Sequence, residues 1–515
     1  MKYIKKAISL ILAAGAALQI PLTSASAASS DWSVIYGGSM GEYYVSIGYY
    51  KGSGGSVVLP EELNGYRVSY ICAAAFKDNQ VIDDVTLPDN IDGMGNGVFK
   101  NSSVTAANIP LSLSIVPKET FLNCERLRSI YIHENIEYIR ENSFDGCTEL
   151  ESISFSEGCT GLKISQYAFN GSGLKEVVLP DNTTVQSFAF QNCQALEGLD
   201  IGSNTSVSSN AFRFCTSLET VTAGSGSELG DNAFMDCTSL KNVNYDTSVN
   251  INGNAFNGCT ELMYINSTPV FDAETGDLVP ELRDFVFASF NAADDVGFVN
   301  AYVQAQVDRI VRENITDDMS DMEKLKVLHD WVCEHTAYDC SGAGNAPKNH
   351  NDASIFLNDT TVCEGYARAC NLIYNAAGIE TQYVHSPTHA WNIVKLGGHY
   401  FHVDATWDDG DIISHKWFLK SDSELENAGA PHADWSVYVP SSMHSFQSST
   451  LPVCEYSSGD VNTDGDVNIS DLVMLQRYVL GTAVLNADDY PLSDLNYDGI
   501  TNSLDTVRLR VLLIQ

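Results

Sequence analysis

The chain has 515 residues, which is too long for one hydrophobic core, so two to four domains are expected. Its formal charge is −38, from 28 Lys and Arg against 66 Asp and Glu. Nucleic-acid affinity depends on basic side chains that neutralise phosphates, so this composition excludes nucleic acid as a partner and favours a solvated exterior that binds cations. The 13 cysteines are an odd number, and their spacing predicts packing positions and no disulfide framework.

The N-terminal segment has the composition of an export signal. Three lysines within the first six residues precede an apolar run over residues 7–20, and Ala25-Ser26-Ala27 has the small-residue pattern that signal peptidase cleaves. We therefore expect a signal peptide over residues 1–27 and a secreted, extracellular protein. No later stretch reaches the ~20 apolar residues that a membrane helix needs, so no membrane span is expected.

A phenylalanine recurs at intervals of 21 to 25 residues within residues 28–275. A unit of this length holds too few apolar residues to close a core alone, so neighbouring units must stack into a solenoid. Several units have the form Ala/Ser-Phe-x-x-Cys-x-x-Leu-x-x-Val/Ile, which resembles the bacterial surface leucine-rich repeats and implies a β-rich solenoid of short strands and turns. A protein ligand, a glycan ligand and a spacer role all stay open for this part. The repeated phenylalanines are Phe76, Phe99, Phe121, Phe144, Phe169, Phe190, Phe212, Phe234 and Phe256.

A cysteine stands three residues after the repeated phenylalanine in six units. Asn79, Ser102 and Ser172 take the same position in other units, so the position accepts small, partly polar side chains. Cysteine is among the most buried residue types, and we interpret these residues as packing positions without a catalytic or metal role. They are Cys124, Cys147, Cys193, Cys215, Cys237 and Cys259.

Helical periodicity replaces the repeats after about residue 280, and Ser320-Asp321-Met322-Glu323 has the form of a capping box. A second predicted helix begins at Cys363. The N-terminus of a helix carries partial positive charge and unpaired N–H groups that stabilise an anionic sulfur, so this cysteine is chemically unlike Cys370, two turns on. We therefore single out Cys363 as a candidate nucleophile in a middle domain over residues 280–445.

A predicted β-hairpin places two further polar residues together. With Gly397-Gly398 as the turn, His389 and Asp404 become diagonal neighbours on one face, with Cβ atoms about 7–8 Å apart. An aspartate at that distance can hold an imidazole whose other nitrogen faces a nucleophile. His402 points to the same face in this register and stays an alternative to His389.

Three segments resemble the signatures of the transglutaminase-like superfamily, in order and spacing. They are Cys363-Glu364-Gly365-Tyr366-Ala367, His389-Ala390-Trp391-Asn392 and His402-Val403-Asp404-Ala405-Thr406-Trp407. The resemblance implies an α+β, papain-like fold with Cys363 as nucleophile, His389 as general base and acid, Asp404 as orienting carboxylate, and no cofactor. It also implies attack on a protein or peptide amide through a thioester. We place transfer to water slightly ahead of transfer to a lysine amine.

Two Asp-rich loops end the chain, after a Ser-rich segment over residues 446–459 that predicts a flexible linker. Both have Gly at position 6 and Asp at position 12, and each leads into an apolar helix. They resemble the duplicated EF-hand-like loops of a type I-like dockerin, which implies a small α domain over residues 460–515, two calcium ions and a cohesin partner. The expected calcium ligands, with position 7 using its carbonyl, are Asp460, Asn462, Asp464, Asp466, Asn468 and Asp471, then Asp494, Asn496, Asp498, Ile500, Asn502 and Asp505.

Taken together, these features predict a multidomain, cellulosome-associated or cell-surface cysteine peptidase or amidase, monomeric before docking. Two alternatives stay open: a non-catalytic repeat protein for binding or adhesion, and a cross-linking transglutaminase. A role in polysaccharide catabolism fits as a process, although no carboxylate pair of the glycosidase kind supports glycoside chemistry. Because the two calcium loops differ at Thr501 and at positions 10 and 11, their halves need not bind a cohesin equivalently.

Overall fold

The computed structural model describes residues 28–514 except 40–41, 273, 291, 294, 342–345, 430–431, 433–434 and 437–449. The predicted signal peptide therefore lies outside the described residues. The chain divides into two compact units, Met1–Asn250 and Ile251–Gln515. None of the helices in the described ranges has the length and apolar character needed to cross a bilayer.

The first unit is built from short strands. A mixed sheet at its N-terminal end contains β1, β2, β4, β5 and β7, and a three-stranded parallel sheet contains β3, β6 and β8. Two longer sheets, built mainly of parallel strands, then follow the repeats. The strands up to the division are β1 (Trp32–Ser39), β2 (Glu42–Tyr50), β3 (Gly55–Val58), β4 (Glu62–Leu63), β5 (Tyr66–Ile71), β6 (Ile82–Thr86), β7 (Gly93–Met94), β8 (Ala106–Ala107), β9 (Ile115–Val116), β10 (Ser129–Ile132), β11 (Tyr138–Ile139), β12 (Ser152–Phe155), β13 (Lys163–Ile164), β14 (Glu176–Val178), β15 (Thr184–Val185), β16 (Gly198–Ile201), β17 (Ser206–Val207), β18 (Thr220–Ala223), β19 (Glu228–Leu229), β20 (Asn242–Asn244) and β21 (Asn250–Ile251).

The repeated phenylalanines form the core of this unit, as the repeat pattern predicts. From Phe76 to Phe234 their rings are buried and stack in sequence, for example Phe169 on Phe190 at 4.8 Å and Phe190 on Phe212 at 4.9 Å between centroids. The repeat cysteines are buried too. In the first unit each of their thiols donates to the phenylalanine carbonyl one repeat back, as Cys215 Sγ does to Phe190 O at 3.3 Å. The packing role is confirmed. Where Ser takes the position, its hydroxyl hydrogen-bonds to the thiol of the next repeat, as Ser172 does to Cys193 at 3.3 Å.

The last repeat, which contains Phe256, belongs to the second unit. Phe256 stacks on Phe290 of the first long helix, and the amides of Gly297 and Phe298 donate to Cys259 O and Leu262 O at 3.2 and 2.8 Å. The helices of the middle domain thus pack directly on this repeat. The remaining strands are β22 (Tyr264–Ile265), β23 (Thr268–Pro269), β24 (Phe271–Asp272), β25 (Asp277–Leu278), β26 (Ala337–Tyr338), β27 (Thr360–Thr361), β28 (Thr381–His385), β29 (Ala390–Leu396) and β30 (His399–Val403).

The middle domain packs one central helix on a three-stranded antiparallel sheet, in the order β28-β29-β30. Leu396 pairs with His399 across the Gly-Gly turn, so the predicted hairpin register is confirmed. The Ser320 capping box is also confirmed. The helices of the second unit are α1 (Pro280–Phe290), α2 (Gly297–Asn314), α3 (Asp321–His335), α4 (Ser354–Leu357), α5 (Cys363–Ala376), α6 (Ala405–Asp408), α7 (Asp422–Ala428), α8 (Ile469–Val479), α9 (Tyr490–Ser493) and α10 (Ser503–Leu512).

The calcium-loop module packs α8 against α10 around a small core of Val461, Leu475 and Leu509. The Ser-rich segment before it, predicted as a flexible linker, is partly packed in the described range. Cys454 is buried in one hydrophobic cluster with Trp391, and Leu451 packs against that cluster. The segment after residue 450 therefore contributes to the core of the middle domain.

Candidate functional site

Cys363 is the first residue of α5 and is partly exposed. The preceding Val362 supplies no side-chain cap to the first-turn N–H groups of the helix, which carry the partial positive charge of its N-terminus. Cys370 lies two turns on and is buried, and burial raises the pKa of its thiol to about 12. The same helix thus holds one accessible cysteine and one inert cysteine.

At Gly365, in the first turn of α5, the helix backbone lies very close to the Thr361 and Ser354 side chains. A Cβ atom at this position would collide with the Thr361 and Ser354 hydroxyl oxygens. The Thr361 hydroxyl itself hydrogen-bonds to Asn349 O at 3.0 Å and to Ser354 Oγ at 2.9 Å. Glycine is therefore required here by space, and it lets the loop before the helix lie directly on the first turn.

A buried ion-pair network fixes the other side of this turn. The Arg368 guanidinium bonds Glu364 at 2.8 Å and Asp352 at 3.0 Å, and His350 lies 2.8 Å from Glu364. The hydrogen bonds and charges of Arg368 and His350 outweigh burial and lower the pKa of Glu364. These pairs tie the segment around residues 350–352 to the residue that follows Cys363.

His389 lies beside β29 with its Nε2 atom 2.6 Å from Asp404 Oδ2. Burial lowers the pKa of His389, but the interactions with Asp404 and with Cys363 outweigh it and raise the pKa to about 9. Because Nε2 is occupied by the carboxylate, Nδ1 is the ring atom left to interact with the sulfur. The structure therefore brings Cys363, His389 and Asp404 together.

Asp404 is buried and is the N-cap of α6, where its Oδ1 accepts from the Trp407 amide at 3.2 Å. Its other oxygen accepts from two imidazoles, His389 and His432, the latter at 2.7 Å. Burial raises the pKa of Asp404, but these two histidines outweigh burial and lower it. One carboxylate thus holds two rings.

His432 was not predicted, and it lies outside all three sequence signatures. It is buried and stacks on Trp417 at 4.4 Å between ring centroids. A lone histidine in an irregular segment carries no periodic or motif signal, so only the fold reveals its contact with Asp404.

His402 is engaged away from Asp404. Its Nδ1 accepts from Trp391 Nε1 at 2.9 Å, which leaves Nε2–H to donate to Asp422 at 2.8 Å. Burial lowers the pKa of His402. The strand alternation that placed His402 beside Asp404 fails because β30 ends at Val403 and Asp404 turns into a helix cap.

Aromatic rings enclose the imidazole of His389. Trp391 and Trp407 lie 5.6 and 5.9 Å from it between centroids. Trp391 is buried, whereas Trp407 is 44 % exposed, so Trp407 marks the side on which the site meets solvent. Trp391 therefore shields the His389 ring from water, and Trp407 leaves an exposed apolar surface beside that ring.

The two Asp-rich loops share one hydrogen-bond scheme. Asp460 and Asp494, at position 1, each accept from the amides at positions 5 and 6. Asp471 and Asp505, at position 12, each accept from the amides at positions 3 and 9. The loops are thus structural duplicates.

Both loops offer oxygen atoms suited to a hard cation. Ligand atoms of Asp460, Asp464 and Asp471 lie within 4.8 Å of one another. In the second loop, Asn496 Oδ1 is buried and has no hydrogen-bond partner among the described residues. Asn468 and Asn502 have a further role as N-caps of α8 and α10. Carboxylate and amide oxygens are calcium ligands, so these residues fit that ion.

The repeats, the helix-on-sheet middle domain and the paired loops define a three-part multidomain protein. Family models match each part: the BspA type Leucine rich repeat region, in six copies, at residues 55–163 and 162–271, the Transglutaminase-like superfamily at 308–405, and the Dockerin type I domain at 458–513. The chain therefore combines BspA-type repeats with a transglutaminase-like and a dockerin type I domain, as predicted. Dockerin type I domains generally bind calcium and cohesins, and the dockerin and repeats together indicate an extracellular or cell-surface protein.

Curated relatives resemble a smaller part of the chain. The kyphoscoliosis peptidases of Homo sapiens and Mus musculus are each 26 % identical to it, over 130 and 125 residues. These matches cover 22 % and 21 % of this chain, and the chain spans only 20 % and 19 % of those proteins.

Solved structures of bacterial repeat proteins also show some similarity to this chain. A leucine rich cell surface protein from Faecalibacterium prausnitzii is 18 % identical, covers 45 % of this chain and 82 % of its own, and has a TM-score of 0.28. The leucine rich repeat protein of T. pallidum is 21 % identical, covers 42 % and 91 %, and has a TM-score of 0.29.

Proposed function

We propose that the middle domain is a cysteine-dependent amide hydrolase or acyl transferase that acts on protein or peptide substrates. The single observation that carries the proposal is the bond of His389 Nε2 to buried Asp404, with the first-turn Cys363 as the other partner of the ring. The transglutaminase-like match supports it. In this proposal Cys363 is the nucleophile, His389 the general base and acid, and Asp404 the orienting carboxylate.

The proposed reaction has two halves. The Cys363 thiolate attacks the amide carbonyl carbon, a C–S bond forms, and the tetrahedral intermediate expels the amine with a proton from protonated His389. The resulting thioester is attacked by water or by an amine, His389 removes a proton from that acceptor, and the thiolate leaves. Asp404 holds the ring in one orientation and stabilises its charged form.

Water is the acceptor we place first. The curated relatives are named peptidases, and that likeness supports hydrolysis ahead of transamidation. Cross-linking through a lysine amine is the alternative outcome of the same thioester.

The proposed setting is a secreted protein held on a cohesin scaffold by its calcium-loaded dockerin. Two calcium ions would be held by the duplicated loops, whose matching hydrogen-bond schemes support two equivalent sites. Tethering to a scaffold raises the local concentration of an enzyme near a shared substrate. The solenoid is proposed to bind a protein or glycan ligand in the same setting, or to act as a spacer.

The test is brief, substoichiometric alkylation of the full chain with iodoacetamide at about pH 6, followed by mass spectrometry. In the natural sequence we expect labelling at Cys363. Labelling at this position should be weaker in the His389→Ala variant and absent in the Cys363→Ala variant. Cys370→Ala, which removes the buried cysteine of the same helix, is the matched control and should label normally. A chain without preference for Cys363 would favour the non-catalytic alternative, in which the solenoid carries the function.

The acceptor is decided by incubating the labelling-competent enzyme with a Gln- and Lys-containing protein, with and without a primary amine. New peptide termini indicate hydrolysis of backbone amides. Amine incorporation without new termini indicates transamidation.

A further inference from the structure

The second calcium loop is packed against the middle domain through one aromatic side chain. Tyr497, at position 4 of that loop, has its ring 4.9 Å from Phe418 and 6.1 Å from His415 between centroids. Phe418 is buried in the middle domain. The equivalent residue of the first loop is Thr463, and both residues have left-handed backbone, at φ 61° and 59°. The loops therefore share a conformation but differ in the side chain that they present.

The residues under Tyr497 lead toward the proposed active site. Phe418 and His415 both contact the ring of His329, at 5.0 and 5.4 Å. His329 is fully buried and lies 3.4 Å from Asp408 of α6, the helix whose N-cap is Asp404. A contiguous packed layer thus joins the second calcium loop to the helix that positions Asp404.

The backbone of the same loop also lies close to the middle domain. A Cβ atom on Gly499 would lie 2.6 Å from Ser320 Oγ and 2.7 Å from Glu323 Oε2, the capping box of α3. A second patch joins the modules, where His399 Nε2 lies 2.7 Å from Asp489 Oδ1 and the Gly398 amide donates to Asp488 O at 3.2 Å. A calcium-loop module that was joined to the middle domain only by a flexible linker would not make such close and specific contacts with it.

We propose that the second calcium loop is a calcium-dependent brace of the middle domain, and that calcium binding to this loop stabilises the middle domain through Tyr497. The first loop serves the calcium-loop module alone. Without a cation, the clustered carboxylates of Asp494, Asp498 and Asp505 repel one another, and the left-handed conformation of Tyr497 loses its support. A ligand that binds the folded, docked loop stabilises whatever is packed on that loop, by linkage. This inference goes beyond the proposed enzymatic function and does not depend on it.

The tryptophans make the test direct. Five of the six lie between residues 331 and 435 and none lies in residues 460–515, so tryptophan fluorescence reports chiefly on the middle domain. Thermal unfolding of the full chain is followed with calcium chloride and with EDTA. In the natural sequence we expect calcium to raise the tryptophan midpoint by roughly 5 °C.

Tyr497→Thr copies the residue of the first loop and so preserves the loop while removing the ring. It should lose at least about half of the calcium-induced shift. Tyr478→Thr, the same change on α8 of the same module, is the control and should keep the full shift. A full shift in Tyr497→Thr overturns the proposal.

Calorimetric titration checks that Tyr497→Thr still binds calcium at both loops. If the Tyr497→Thr variant loses one calcium site, the Phe418→Leu variant tests the proposal instead. Phe418→Leu weakens the same contact from the middle-domain side and leaves every calcium-loop residue in place. A reduced calcium-induced shift in Phe418→Leu supports the brace, and an undiminished shift overturns it.

Discussion

At the scale of single residues, the site depends on how one carboxylate is shared. Asp404 is buried, accepts from two histidine rings through one oxygen, and accepts from the Trp407 amide through the other. Each donor stabilises the charged carboxylate and restricts its rotation, and a hydrogen bond to a charged group contributes more than one between neutral groups. The orientation of His389 therefore depends on His432, which never needs to contact a substrate.

His432→Phe keeps a ring against Trp417 and removes the donor to Asp404. We expect roughly tenfold slower alkylation of Cys363, which corresponds to loss of a hydrogen bond to a charged group. His432→Gln can still donate and should recover most of the rate. Equal rates in the natural sequence and in His432→Phe would show that His432 has only a packing role.

The pKa of His389 predicts an upper pH limit for activity. Its folded value of about 9 lies above the ordinary value of 6.5, so the ring stays protonated and able to supply a proton up to about pH 9. The contribution of protonated His389 to the free energy of unfolding is fully present below about pH 6.5 and is lost as the pH rises through about 9. Amide hydrolysis should therefore decline above about pH 9. Asp404→Asn should move that decline to lower pH, and an unchanged profile would contradict the role of Asp404.

At the scale of elements, the decisive piece is the N-terminus of α5. The helix is not capped by a side chain, the loop before it is locked through Thr361, and Arg368 ties the first turn to the preceding segment. The helix itself packs on the hairpin that carries His389, where Asn392 Nδ2 donates to Ala367 O at 2.9 Å. Sulfur and imidazole are therefore positioned by two elements that are fixed to each other.

Gly365→Ala tests this attachment. The added methyl group must displace the Thr361 and Ser354 hydroxyls, and overpacking of this kind costs about 1–3 kcal/mol of unfolding free energy. Urea unfolding followed by tryptophan fluorescence measures the loss. Gly410→Ala, at an exposed position whose Cβ would have no contact closer than 3.8 Å, is the control and should stay within about 0.5 kcal/mol of the natural sequence.

At the scale of the whole molecule, the two units rest on different kinds of core. The first is a ladder of stacked phenylalanines closed by thiol-to-carbonyl hydrogen bonds, and its stability comes from repeat-to-repeat packing. The second contains the duplicated loops, to which we assign the proposed calcium ions. Only the second unit should therefore respond to calcium.

Differential scanning calorimetry of the full chain tests this division. With a chelator, we expect the transition of the second unit to move to lower temperature and the transition of the first unit to stay in place. Asp460→Ala combined with Asp494→Ala should reproduce the effect of the chelator with calcium present. A solenoid transition that moves with calcium would contradict the assignment of the ions to the loops.

The three-part organisation could be predicted from the sequence alone. Periodic phenylalanines, a first-turn cysteine and duplicated Asp-rich loops are local or periodic signals, and the physics that they reflect acts over a few residues or from one repeat to the next. The hairpin register and the Ser320 capping box were predictable for the same reason, since turn chemistry and helix capping are local.

Which polar groups contact one another could not be predicted from the sequence, because it depends on how the elements pack. His432 reaches Asp404 from an irregular segment, and His402 turns to Asp422 because the strand ends one residue before Asp404. Tyr497 reaches Phe418 from a different module. Such contacts join residues that are far apart in the chain and follow no regular sequence spacing. They are therefore determined by how whole elements pack, and not by the propensity of any single residue.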